Sequence, residues 1–144
     1  MNDIASNKKA FFDYEILEKI EAGIALLGSE IKSVRAGQVS LQDAHGVIRG
    51  TEIFLLNAYI APYEKGQKEG YEPYRSRRLL LHKKEIDRLI GKIKEKGLAL
   101  IPLRFYFSHN VLKVELGLGR GKKKYEKRES IKKRESERKL RHLR

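Results

Sequence analysis

Short runs of cations dominate the side chains of this sequence that could do chemistry, and the chemistry they suit is neutralisation of phosphate. Arg75, Arg77 and Arg78 stand within four residues, and Lys32 and Arg35 are three apart. Lys122, Lys123, Lys124, Lys127, Arg128, Lys132, Lys133 and Arg134 crowd a single stretch near the end of the chain. A guanidinium presents a planar fork of donors that fits phosphate oxygens, whereas lysine acts as a compact point charge. Within the last stretch Tyr125 offers a ring on which a base can stack, and Ile131 an apolar anchor. Of 144 residues, 32 are Lys or Arg and 19 are Asp or Glu, a net charge of +13. The excess is uneven: residues 120–144 hold 13 basic and 4 acidic groups, against 19 and 15 in residues 1–119. A solvated cationic face is the ordinary alternative for scattered charge, but three arginines beside a loop favour contact with RNA.

Other chemistries find little support. His45, His82, His109 and His142 have no metal-ligand spacing, and with no cysteine there is no thiol nucleophile, disulfide or Cys-bound metal. No G-x-S-x-G elbow or G-x-x-x-x-G-K loop occurs; Gly117-Leu118-Gly119-Arg120-Gly121 is glycine-rich without a following lysine-serine pair. Carboxylates are dispersed, and nothing marks a catalytic pair. The expectation is a protein that is not an enzyme and takes no cofactor. Apolar runs fall far short of the roughly 20 residues that span a bilayer, and Met1-Asn2-Asp3-Ile4 does not begin a secretory signal. A cytoplasmic protein is expected, with no membrane partner.

These groups need a scaffold, and the apolar pattern suggests one. From Phe11 to Leu27, Phe12, Tyr14, Ile16, Ile20, Ala22, Ile24 and Leu26 recur in period two, predicting a strand or two bent near Gly23. Ser29 to Ala36, stopped by Gly37, reads as a short helix with Lys32 and Arg35 on an exposed side. Leu41 to Ile48 and Glu52 to Ile60 read as strands, and residues 63–78 as a polar loop. Ile86, Leu89, Ile90 and Ile93 predict a helix over Lys83 to Lys94, ended by Gly97. Leu98 to Phe107 and Val111 to Leu118 complete the strands around Ser108-His109-Asn110. Tyr14, Tyr59, Tyr63, Phe105, Tyr106 and Phe107 read as core before they read as stacking platforms. The fold class is mainly β with α, a small closed or nearly closed antiparallel barrel of a kind that often binds oligonucleotides. Residues 1–119 form the barrel and residues 120–144 a basic tail, disordered when free. Glu129–Lys133, Glu135–Lys139 and Glu137–Arg141 predispose the tail to become helical on a polyanion, and Gly117, Gly119 and Gly121 read as its flexible exit.

Four stretches resemble one family. They are Asn7-Lys8-Lys9-Ala10 with Asp13-Tyr14, Glu21 to Gly28 running into Glu30 to Gly37, Arg75 to Leu81 with the ensuing helix, and Gly117 to Arg128. In order and spacing the chain resembles the SsrA-binding proteins, partners of transfer-messenger RNA in ribosome rescue. The resemblance implies a six-stranded antiparallel barrel of the oligonucleotide-binding (OB) type flanked by three helices. It also implies an adaptor that binds the transfer-RNA-like domain of transfer-messenger RNA and delivers it to stalled ribosomes for trans-translation. The tail would occupy the decoding centre and the empty message channel, against 16S ribosomal RNA. Alanyl-tRNA synthetase and elongation factor Tu with GTP would be indirect partners, and the free protein a monomer. Glu21, Leu80 and Lys113 match RNA-site positions of the family. Their ordinary alternatives are a carboxylate paired with a cation such as Lys19, a core leucine, and an outward-facing charge. Phe12 stands where the family often has His, and Glu126-Lys127-Arg128 where it often has Asp-Lys-Arg. The alternative reading is a structural ribosomal protein with a basic extension. On the adaptor reading, Glu21→Ala or Arg77→Ala is expected to weaken RNA binding with the fold intact.

Overall fold

The computed structural model describes residues 3–64 and 69–122. Lys123, Lys124, Tyr125, Lys127, Arg128, Ile131, Lys132, Lys133 and Arg134, and with them the expectation of a helix induced in the tail, lie outside the described residues. Nine strands and three helices follow in the order β1 (Asp3–Ser6), α1 (Lys8–Asp13), β2 (Tyr14–Ile24), α2 (Gly28–Arg35), β3 (Val39–Ser40) and β4 (His45–Arg49), among the described residues. They continue with β5 (Glu52–Leu56), β6 (Tyr59–Ile60), β7 (Arg77–Leu80), α3 (Lys83–Lys96), β8 (Ala99–Ser108) and β9 (Val111–Gly121).

Six strands close a ring in the order β8, β4, β5, β7, β2, β9 and back to β8, with every pairing antiparallel. β1 runs beside β8, and β3 with β6 forms a separate two-stranded ribbon. This is the OB-type barrel. Closure leaves the ring without a free edge, which removes the template for edge-to-edge aggregation. Alternation along the strands sends Ile53 and Leu55 of β5, Phe105 of β8, and Val114, Leu116 and Leu118 of β9 into the barrel. Val34 of α2 and Leu89 of α3 are fully buried in the same core.

α3 forms for the reasons its sequence shows: Leu89 is buried, Ile86 and Ile93 pack beside it, and Gly97 closes the helix at φ 63°. Glu18 of β2 clamps the helix by accepting from Arg88 and Lys92, at 2.6 and 2.9 Å. Those bonds, Lys92's first, hold the Glu18 carboxyl below its ordinary range against the cost of partial burial.

Four expectations change. α1 falls where period two predicted strand; Asn7 caps it by accepting from the Ala10 N–H at 3.3 Å. The Asn7 amide also donates to the carbonyls of Leu41 at 3.1 Å and Pro102 at 3.0 Å, so a buried side chain selects helix locally. β7 starts inside the expected polar loop, at Arg77. Gly117 and Gly119 are not a flexible exit but buried strand residues. A Cβ on Gly119 would lie 2.7 Å from the Glu15 carbonyl oxygen, so glycine permits close approach of β9 to β2. β9 itself runs to Gly121, and the Lys122 N–H donates to the Asp13 carbonyl at 2.8 Å, two to three residues past the expected barrel boundary.

Candidate nucleic-acid interface

The outer face of the barrel carries a groove of about 570 Å³ where β9, β2, β7 and the start of α3 meet. Register explains why distant residues share it. Glu21 lies opposite Glu115 and Ala22 opposite Val114 in the β2–β9 pair, which sets Lys113 beside Gly23 on the outward side. Gly23 lies opposite Leu80 in the β2–β7 pair. A Cβ on Gly23 would sit 3.2 Å from that of Leu80, so the missing side chain gives the leucine its seat. Glu21, Gly23, Leu80 and Lys113 thus line the groove together with Arg78, Glu52, His82 and Glu85.

Leu80 is 44% exposed, so the choice between core and surface falls to surface. Glu21 is exposed and accepts a short hydrogen bond from the Tyr106 hydroxyl, not from Lys19. Burial, and then the Glu21 carboxylate, push the Tyr106 phenol up to about 12. Arg104 lies over the Tyr106 ring at 4.3 Å and is itself bound to Asp3 and Glu115. Glu21 is therefore an oriented acceptor, Lys113 and Arg78 are donors, and Leu80 is an apolar platform between them. Such a set can accept from base amino groups or 2′-hydroxyls, donate to phosphates, and pack against a base or ribose.

The arginine cluster divides. Arg78 points outward, half exposed, and donates to Glu52 at 3.2 Å. Arg77 points inward with no side-chain exposure, which corrects its assignment as an RNA contact. Its Nη2 meets Glu30 of α2 at 2.6 Å, and it also donates to the carbonyls of Ala58, Pro73 and Arg75. Arg75 is about one-third exposed (32%) and is turned to the same Glu30 carboxylate. Tyr71 and the Leu27 N–H donate to Glu30 as well. Burial opposes the charge on Glu30 most strongly, yet the bonds from Arg75, Leu27 and Arg77 outweigh it and hold the carboxyl below its ordinary range.

Lys32 and Arg35 are exposed, each over an aromatic ring: Lys32 over Tyr63 at 5.3 Å and Arg35 over Phe107 at 4.2 Å. The expected single patch is thus at least two settings, with Arg78 in the groove and Lys32 and Arg35 on α2. The Lys122 ammonium donates to the Phe11 carbonyl at 3.0 Å, which ties the end of the barrel to α1. Phe12 lies half-buried in that helix. Phe105 is buried in the barrel core, in line with the core reading, whereas Tyr106 is buried on the opposite side of β8 with its hydroxyl on Glu21. Among the described residues no three His, Asp or Glu side chains are grouped to hold a metal ion, and no helix is long and apolar enough to cross a membrane.

A family model described as SmpB protein matches residues 4–144. The chain belongs to the SmpB family. An SsrA-binding protein of Carboxydothermus hydrogenoformans is 54% identical over 137 residues, covering 95% of this chain and 92% of that one. An SsrA-binding protein of Chlorobaculum tepidum is 59% identical over 140 residues, covering 96% and 89%. Among solved structures, a chain from "tmRNA-SmpB: a journey to the center of the bacterial ribosome" superposes with a TM-score of 0.69 at 48% identity, over 88% of this chain and 92% of that one. SmpB membership accounts for the four resembling stretches, including the part of the tail outside the described residues.

Two residues of this SmpB chain escaped the sequence reading. Tyr106, which orients Glu21, looked like one core aromatic among several. Glu30 had a legible signal: with Ser33 and Val34 it occupies the buried face of α2 at i, i+3, i+4, a carboxylate where an apolar residue belongs.

Proposed function

We propose that this chain is an RNA-binding adaptor, not an enzyme, that binds the transfer-RNA-like domain of transfer-messenger RNA and acts with it on stalled ribosomes in trans-translation. The observation that carries the proposal is the convergence of Glu21, Leu80 and Lys113 in one groove from three strands, with Arg78 beside them. An oriented acceptor, an apolar seat and two cations are the mixed set that a folded RNA elbow requires, and a phosphate-only site would not need the carboxylate. The names of the relatives and of the ribosome-directed structure support the same partner and setting.

The tail belongs to the ribosomal half of the task. Lys122 to Lys124, Tyr125, Lys127, Arg128, Ile131 and Lys132 to Arg134 would engage ribosomal RNA of the decoding centre and the message channel. Neutralising about six phosphates makes such binding steeply salt dependent, by about a thousandfold between 50 and 200 mM salt. Alanyl-tRNA synthetase and elongation factor Tu with GTP would meet the protein only through the shared RNA, in the cytoplasm.

The test is equilibrium binding of the full chain to a labelled transfer-RNA-like domain, against an equal-length transfer RNA competitor, at about 150 mM salt. At least a tenfold preference for the former, about 1.4 kcal/mol, is the expected result. Equal binding of the two RNAs overturns the proposal.

A further inference from the structure

The groove continues past its own wall. Glu52 of β5 lines it and pairs across the β4–β5 hairpin with Arg49. On the same outward side Phe54 lies opposite Arg78 in the β5–β7 register. The Arg49 guanidinium sits over the Phe54 ring, 5.3 Å from its centre, and its Nη1 donates to the Ser76 hydroxyl at 3.2 Å. Arg49 is exposed. Its cross-strand neighbour Glu52 accepts instead from Arg78, and among the described residues Arg49 has no ion-pair partner. One of its five N–H donors is therefore given to a neutral hydroxyl, and among the described residues no carboxylate lies within ion-pair distance of its charge. The ring and the hydroxyl fix the planar fork in place, so little freedom is lost when it meets an anion.

Lys113, Arg78 and Arg49 stand on β9, β7 and β4, each two strands from the next, or about 10 Å across the ring wall. We infer that Arg49, seated on Phe54 and tied to Ser76, is a further phosphodiester contact that carries the RNA track from the Glu21–Leu80–Lys113 groove over β7 and β5 to β4. This inference rests on the RNA-binding reading above and extends it to a part of the barrel outside the four resembling stretches.

The experiment measures affinity of the full chain for the labelled transfer-RNA-like domain across a salt series. Arg49→Gln is expected to bind about fivefold more weakly at about 150 mM salt and to lower the salt slope by about 0.7–0.9, one phosphate contact. Arg49→Lys keeps the charge without the fork and is expected to keep the slope while losing part of the affinity. Phe54→Leu, which removes the seat, is expected to weaken binding less than Arg49→Gln at an unchanged slope. Melting temperatures accompany each variant. Arg49→Lys and Arg49→Gln both lose the planar fork, so with matching melting temperatures a slope difference between them reports charge at the RNA and not folding. Equal slopes for the parent, Arg49→Gln and Arg49→Lys, with Lys113→Ala weakened, would overturn the extension and leave the groove standing. No preference of the parent for this RNA removes both.

Discussion

Glu30→Gln strands the Arg77 guanidinium inside the protein. Both side chains have no solvent exposure, and Glu30 is the charge that Arg77 and Arg75 share. Glutamine keeps the shape and one carbonyl oxygen but supplies no counter-charge, and its amide hydrogens would point at guanidinium donors. Removing one partner of a buried pair costs about 3–5 kcal/mol, because the remaining charge stays desolvated. Against a total stability of about 5–15 kcal/mol that is a large share. At roughly 4 °C per kcal/mol for a domain of this size, the melting temperature should fall by about 12–20 °C. Thermal and urea unfolding followed by circular dichroism measure it. The double variant Glu30→Leu with Arg77→Met removes both fully buried charges and should recover part of the loss, the remainder reflecting Arg75 and the Ala58 and Pro73 carbonyls left without these partners. Arg77→Ala should be destabilised to a similar degree, while its affinity for RNA, measured well below its melting temperature, stays near that of the parent. A Glu30→Gln protein within about 1 kcal/mol of the parent would refute the reasoning, as would an Arg77→Ala protein that is fully folded and deficient in RNA binding.

The same carboxylate sets an acid limit. Its folded value lies below the ordinary 4.5, so its stabilisation is complete above that pH and is lost as pH falls through the depressed value. Unfolding midpoints in acid should therefore be less pH-dependent in Glu30→Gln than in the parent. At the alkaline end, the Tyr106 phenol is raised, so its contribution is complete below 10.0 and is lost as pH rises towards about 12. Tyr71, raised by burial and then by its bond to Glu30, also ionises late, so an ultraviolet titration of the folded protein should lose only part of its late component in Tyr106→Phe; a Tyr106→Phe profile matching the parent's would refute the assignment. Deleting the residues after Lys122 leaves β9 and its bond to Asp13 whole. Preferential binding to the transfer-RNA-like domain should survive the deletion and peptide tagging on stalled ribosomes should not; loss of the binding preference would contradict the division between barrel and tail.

Helices α2 and α3 and the long strands β8 and β9 were legible because their apolar spacing is decided by one face packing on one core. α1 was not, because period two continues through Phe12 and Tyr14 while a buried asparagine makes the bonds that decide the backbone. Glycine spacing misled in a similar way: Gly119 is written by the approach of a neighbouring strand, which only tertiary contact reveals. In the candidate site, charge pointed to Arg78 and the family motifs to Glu21, Leu80 and Lys113, and the structure brings all four to one groove. No local pattern could pair Glu21 with Tyr106, which lies 85 residues away across the barrel.

The reversal on β7 is the most informative of these cases. The run Arg77-Arg78-Leu79-Leu80 carries two charged and two apolar residues in succession, and strand geometry must send one of each pair to either side. Hydrophobic bookkeeping alone is indifferent, because either register buries one arginine and one leucine. Two features outside the strand break the tie. Glu30 waits inside with a carboxylate that only the Arg77 side can reach, and Gly23 leaves a seat on the outer face that fits Leu80. A slip of one residue would turn Arg78 inward in place of Arg77 and would turn Leu80 away from the groove and from the space that Gly23 leaves. The buried ion pair and the Gly23 seat together go with the register that exposes Leu80 and Arg78 on one side. The ion pair acts on the groove by setting which residues of β7 line it, while itself lying on the other side of the strand.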